Sequence, residues 1–408
     1  MWTLKALNPS NDGVKSYIEK SYSQLMARSD LGFKDLELLK LSISECRQLK
    51  SFYEDKKQIV VVGLGGSSLG AKALCEALYP NEWQDKITFL DNVDSFTVDS
   101  FLAAVESPKE LGWIVISKSG GTIEVLSLLD YCHEYFQSKG QFSILKNMVA
   151  ITEEKESSLK TFANENNIPC LPVPLNVGGR FSAFTAVGLF PLGFLGVDFD
   201  KIISGFSKAL SNKDQVIDMG SQLYESMGRE EFNFYCFHYC DRLTLWADWL
   251  QQLWSESLSK AVDRKGNDAP VLSTFIPCRG ASAQHSVLQQ VVEGREKKFA
   301  CFVRVSSSES GNHKIKKSIL GHELMESKSL GDLLCAEAKA TEQALNDSGT
   351  STFSLSVSDL DAESVTQFMG LWMLTVGTLG EAFDINAFNQ PGVESGKLIA
   401  RRVLSDSH

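Results

Sequence analysis

The sequence predicts an α/β protein built from parallel sheets that are covered by helices on both faces. Two observations carry this. Short runs of apolar, β-branched residues are continuous and do not alternate with polar ones, as strands buried on both faces require. Segments of helical spacing separate these runs, which is the order of a βα-repeating chain. In the first half the runs are Gln58 to Gly63, Ile87 to Leu90, Trp113 to Ser117, Met148 to Thr152 and Cys170 to Val173, with a helix expected over Leu69 to Leu78. The second half repeats the style. Strands are expected over Phe232 to Tyr239 and Phe299 to Val305, and helices over Arg242 to Ser257, Ser282 to Val292 and Leu330 to Leu345. Phe353, Leu355 and Val357 alternate as a strand, and Asp361 is placed to cap a long helix running toward Phe383. The chain of 408 residues is therefore divided near residue 200. Residues 1–200 form one α/β unit with a leading helical segment, 201–385 a second, and 386–408 a C-terminal helix.

The 40 basic and 51 acidic side chains give a net charge of −11, which argues against a broad nucleic-acid surface. An anionic ligand must then be captured locally, by backbone amides, hydroxyls and a few placed cations. Nine cysteines, odd in number and scattered, fit a reducing compartment. Cys236, His238 and Cys240 sit in the aromatic run FNFYCFHYC and read as core packing, since no second cysteine pair at zinc spacing follows. The amino terminus lacks a long apolar stretch, and the run Phe184 to Val197 is too short and too interrupted to span a bilayer. A cytoplasmic location is expected.

Six segments carry chemistry. The loop VVGLGGSSLG (Val61 to Gly70) takes a strand into a helix through Gly63, Gly65 and Gly66, followed by Ser67 and Ser68. It lets a ligand approach the backbone and the free amides of a helix start, but its spacing is not that of a dinucleotide fingerprint. Alone it suits a phosphate or sugar site and a plain tight turn equally. The loop ISKSGGTIE supplies hydroxyls from Ser117, Ser119 and Thr122, a charge from Lys118 and an amide-rich Gly120-Gly121 turn, a mixture that matches a phosphate monoester. NVGGRFS places Arg180 just after a Gly-Gly pair, where a guanidinium can stabilise a developing oxyanion, although an isolated arginine is more often a surface or salt-bridged one.

In DWLQQLWSESLSK, helical spacing puts Gln252, Glu256 and Lys260 on one face beside Trp249 and Leu253. Partial burial there suits Glu256 to act as a general base, although spacing alone favours an exposed Glu256 to Lys260 ion pair. His285, in GASAQHSVLQQ near a helix start, reads in isolation as a surface or satisfied core histidine. FNQPGVESGK reads as a turn leading into a helix that carries Lys397 on its first turns.

Taken in order, GLGGSSLG, SKSGGT, VGGRFSAFTAVGL, QLWSESLSK, QHSVLQQ and FNQPGVESGK resemble the glucose-6-phosphate isomerase family, of its shorter bacterial kind, and span residues 63 to 397. The resemblance implies two sugar-isomerase (SIS) domains, each a flavodoxin-like parallel sheet between helical layers, with the site between them. It implies that Gly66 and Ser67 touch the phosphate end of the sugar, and that Ser117, Lys118, Ser119 and Thr122 cradle the phosphate. Arg180 would stabilise an enediolate, Gln252 orient the substrate, and Glu256 move a proton between C1 and C2. His285 and Lys397 would assist ring opening, with His285 supplied by the partner chain of a homodimer. No metal and no organic cofactor is implied, and the partner is a small phosphosugar, without nucleic acid or membrane.

Three departures accompany the resemblance. Ser259 stands where relatives carry glycine, which bears on the helix end near Glu256; Val125 stands where threonine is common, which bears on a polar contact near the phosphate; and the chain is short. The competing readings are an isomerase that also accepts mannose 6-phosphate and a non-catalytic phosphosugar-sensing module. The second would keep SKSGGT and lose Glu256, His285 and Lys397, all of which are present.

Overall fold

A computed structural model describes residues 2–140, 142–307, 313–321 and 323–406. Among them, ten strands form two five-stranded sheets. The first strand, β1 (Thr3–Ala6), lies apart from those that follow it in sequence. The expected apolar runs of the first half then form β2 (Gln58–Val62), β3 (Ile87–Leu90), β4 (Leu111–Ile116), β5 (Met148–Thr152) and β6 (Cys170–Pro172). They are ordered β3-β2-β4-β5-β6, and every pair is parallel.

Both faces of this sheet are buried, which explains the continuous apolar runs. Ile59 and Val61 join a core shared with the second half of the chain. Val60 and Val62 point the other way, into a cluster with Trp113, Val115 and Leu129. Each such side chain contributes about 1.5–3 kcal/mol on removal from water.

The second sheet contains β7 (Asn233–Tyr239), β8 (Thr274–Arg279), β9 (Lys298–Val305) and β10 (Ser351–Val357), in the order β1-β10-β9-β7-β8. Two features differ from expectation. The N-terminal strand β1 pairs antiparallel with β10, so the leading segment begins in the second sheet and not in the first unit. Trp2 holds it there by stacking on Phe368 at 3.7 Å and donating its indole N–H to the Ser364 carbonyl at 2.9 Å. The second difference is β8, unmarked in the sequence because Pro277 interrupts it. At the sheet edge, the missing N–H of a proline costs no ladder bond.

Three helices position the site. Asp361 caps Ala362–Ala382 with a reciprocal box, accepting from Ser364 N at 2.8 Å while Ser364 Oγ accepts from Asp361 N at 3.0 Å. This helix is buried along its whole length and forms the centre of the second unit's core. Thr244–Leu258, which follows β7, packs on Leu69–Leu78, which follows β2, so a helix from each half of the chain meets the other. The helix expected over Ser282 to Val292 is broken into a 3-10 turn, Ser282–His285, and a short helix, Leu288–Glu293. At the C-terminus the helix Glu394–Asp406 is formed, and residues 407 and 408 lie outside the described residues.

Cys236, His238 and Cys240 are buried in and just after β7, and all nine cysteines are free thiols. Burial pulls the His238 imidazole down to about 4, so it packs as a neutral ring. Among the described residues, no helix is long and apolar enough to cross a membrane.

Candidate active site

β2 bonds to β3 on one side and to β4 on the other, so the chain reverses its direction of travel across the sheet at β2. The crevice beyond the carboxyl ends of strands at such a switch point is where open α/β sheets bind ligands. Both glycine-rich loops open there.

The first loop follows β2 and turns through Gly65–Ser67, with Gly65 at φ +56°, a conformation glycine adopts without strain. Gly66 touches the backbone of a distant segment: a Cβ there would stand 2.4 Å from the Gly179 carbonyl carbon and 2.8 Å from the Arg180 nitrogen. Ser182 reinforces the junction by donating to the Gly66 carbonyl at 3.3 Å. The first loop thus sets the position of Arg180. Gly66→Ala is expected to push the two backbones apart, at roughly 1–3 kcal/mol of stability and at least tenfold in kcat/KM. Thermal denaturation and steady-state kinetics check this; unchanged kinetics would show that the contact is dispensable.

The second loop follows β4. Ser117 Oγ lies 2.9 Å from Thr122 Oγ1 and accepts from Thr122 N at 3.4 Å, while Gly120 N donates to the Ser117 carbonyl at 3.0 Å. Gly120 has φ +65°, and a Cβ would meet Ser157 Oγ at 1.9 Å, so the tight turn requires glycine. The helix Ile123–Ser138 starts immediately afterward without a side-chain cap, leaving its first amides available to an anion. Ser119 is exposed, and Lys118 lies at the rim, paired with Glu153 at 3.3 Å.

Arg180 is at the centre. Its side chain is 1% exposed and each nitrogen of the guanidinium is bonded. Nε donates to Ser257 Oγ at 2.7 Å; Nη1 donates to Glu256 Oε2 and to Gln390 Oε1, both at 3.2 Å; Nη2 donates to the carbonyls of Ala387 and, at 3.1 Å, Asn389. Burial pulls the guanidinium below the ordinary arginine value and the Glu256 charge opposes that shift. Glu256 itself is about a third exposed, at 32%, so a carboxylate fixed by a buried cation still faces open space.

One turn earlier, Gln252 donates from Nε2 to Glu256 Oε1 at 3.1 Å and lies against Gly65. Its Oε1 is buried and has no hydrogen-bond partner among the described residues, an acceptor that a ligand hydroxyl would satisfy.

Arg180, Gln252, Glu256 and Gly66 are therefore assembled in one place, with Ser67 in the same turn and the Ser117, Lys118, Ser119 and Thr122 loop on the neighbouring strand end. His285 is not brought in. It is exposed at the end of the 3-10 turn after β8, and among the described residues no hydrogen bond or ion pair joins it to Glu256 or Arg180. Lys397 is exposed in the first turn of the C-terminal helix, a short way beyond the segment that Arg180 grips.

Lys260 bonds to the Glu256 backbone carbonyl at 2.6 Å and not to its carboxylate, so the expected exposed ion pair is not formed. Gln390 and the carbonyls of Ala387 and Asn389 were missed by the sequence. Only the position of Gln390 inside FNQPGVESGK hinted at it. Ser259 adopts φ −79°, so the site does not need glycine there. Val125 is buried in the apolar cluster on one face of the first sheet, with Val62, Trp113 and Val115.

The phosphoglucose isomerase family matches residues 50–408. A glucose-6-phosphate isomerase of Thermus thermophilus is 31% identical, over 95% of this chain and 94% of the relative. That of Methanocaldococcus jannaschii is 31% identical, over 94% and 93%. Among solved structures, a glucose-6-phosphate isomerase from Chlamydia trachomatis superposes with a TM-score of 0.83 at 19% identity, covering all of this chain and 89% of the other. A tagatose-6-phosphate ketose/aldose isomerase from Escherichia coli gives 0.56 at 13%, covering 94% and 97%, and shares the fold of paired SIS sheets.

Proposed function

The chain belongs to the phosphoglucose isomerase family, and from that premise we propose that the Glu256–Arg180 pair carries its chemistry. The reaction is the reversible isomerisation of glucose 6-phosphate to fructose 6-phosphate. It needs a base over two adjacent carbons, a cation beside the oxygen that becomes anionic, and a grip on the far phosphate.

In this reading, the amides and hydroxyls of Ser117, Ser119 and Thr122, with Lys118 at the rim, hold the phosphate, and Gly66 and Ser67 line the path toward the sugar. Gln252 accepts a substrate hydroxyl through its unpaired Oε1. Glu256 takes the proton from one carbon and returns it to the next, while Arg180 stabilises the cis-enediolate between these steps. The observation that supports this best is the 3.2 Å contact of a buried guanidinium with a carboxylate that remains open on its other side. Purified protein treated with chelator is expected to equilibrate the two phosphosugars; absence of turnover would refute the assignment.

Ring opening falls to His285 and Lys397. In this reading His285 acts in the site of the second subunit of a homodimer, as the family resemblance implies; its exposure at the end of the 3-10 turn after β8 is compatible with that role. Mixing inactive Glu256→Gln protein with inactive His285→Ala protein is expected to restore partial activity, since one kind of mixed site has both residues intact. No recovery after verified subunit exchange would mean that each chain is self-sufficient.

A further inference from the structure

We infer that Lys260 is a positioning residue for the catalytic pair, fastening the end of the Glu256 helix to the Ala387–Gln390 segment that also receives Arg180. The helix Thr244–Leu258 ends just beyond its base, so the Glu256 carbonyl is one of the last four, which lack an intrahelical partner. Lys260 Nζ fills that vacancy at 2.6 Å and also donates to the Asn389 carbonyl at 2.5 Å.

A lysine that only capped its own helix would need the first of these bonds alone. The second is made to the same oxygen that accepts from Arg180 Nη2 at 3.1 Å. Two cations thus converge on one carbonyl oxygen, with Glu256 as the carboxylate beside them. The arrangement is costly: burial first, and then repulsion by Arg180, hold the ammonium down to about 8.

What the cost secures is geometric. Arg180 touches Glu256 by its side chain and Lys260 touches it by its backbone, and both are tied to the 387–390 segment. The carboxylate, the guanidinium and the start of the C-terminal segment are thereby fixed as one body. Catalysis by a base that must reach two carbons depends on such fixing, where a displacement of about 1 Å costs on the order of 100-fold in rate.

This inference rests on the isomerase reading, and its test separates the two. Lys260→Met in the full-length protein is expected to leave KM for fructose 6-phosphate within about threefold and to lower kcat on the order of 10- to 100-fold. Lys260→Arg, which keeps charge and donors, is expected to recover most of kcat. Should the methionine variant fail to fold, Lys260→Gln carries the same expectation. Wild-type kcat in the methionine or glutamine variant, or a loss that arginine does not repair, would overturn the role of Lys260 while leaving the isomerase reading intact. An inactive wild-type protein would overturn both.

Discussion

Glu256→Gln is expected to lower kcat roughly 1,000-fold while phosphosugar affinity stays within a few-fold of wild type. General-base catalysis by a placed side chain contributes on the order of 10²–10⁴-fold, and the amide cannot take the proton. Its shape is retained: the new amide oxygen can accept from Arg180 in place of the 3.2 Å contact, and the Gln252 amide must turn over to accept from the new NH2 in place of the 3.1 Å contact. The loops proposed to hold the phosphate are built from other segments and are untouched. Steady-state kinetics beside binding of a substrate-sized phosphosugar separates the two effects. Parallel losses in binding and kcat would mean that Glu256 is a structural support; near-normal turnover would remove it from the chemistry.

Arg180→Lys is expected to be damaging despite keeping the charge. Five hydrogen bonds radiate from the planar guanidinium to Ser257, Glu256, Gln390, Ala387 and Asn389. An ammonium has three donors on one atom and cannot reach partners placed on both sides of a fork. Buried acceptors lose their donors, at about 3 kcal/mol of stability, the low end for a broken buried pair because Glu256 is partly solvated. Displacing the preorganised positive charge that lies beside the developing oxyanion is expected to cost on the order of 10²–10³ in kcat. Thermal denaturation reads the first effect and kinetics the second. A lysine variant with wild-type kcat and melting temperature would show that only the charge matters.

The parts legible in the sequence are those fixed by local rules. Continuous apolar runs marked β2, β3 and β5 because both faces of the first sheet are buried, and Asp361 marked its helix through a cap completed three residues later by Ser364. The tight turn in SKSGGT was readable because its glycines and hydroxyls lie close together in sequence, with Gly120 at φ +65°. The missed parts depend on distant partners. β1 has a weak alternating pattern, and its place follows from hydrogen bonds to β10 some 350 residues away. β8 tolerates Pro277 only because no strand lies beyond it, which a local pattern cannot reveal.

The same division runs through the site. Spacing correctly put Gln252 and Glu256 on one face, since i and i+4 meet on any helix. It misassigned Lys260, because a lysine four residues after a glutamate can bond to the carbonyl as readily as to the carboxylate. The anchors of Arg180 at Ala387 and Asn389 are backbone oxygens, which every residue possesses, so no side-chain pattern announces them.

Proton transfer between neighbouring sugar carbons through one carboxylate is most directly followed by isotope. Fructose 6-phosphate is converted by the chelator-treated protein in deuterated water, and the glucose 6-phosphate formed is analysed carbon by carbon. A base that exchanges its proton with solvent during the lifetime of the enediolate places deuterium at C2 and at no other carbon. Product formed without any deuterium at C2, together with wild-type turnover in Glu256→Gln, would contradict the account, since the hydrogen would then have moved without a carboxylate base.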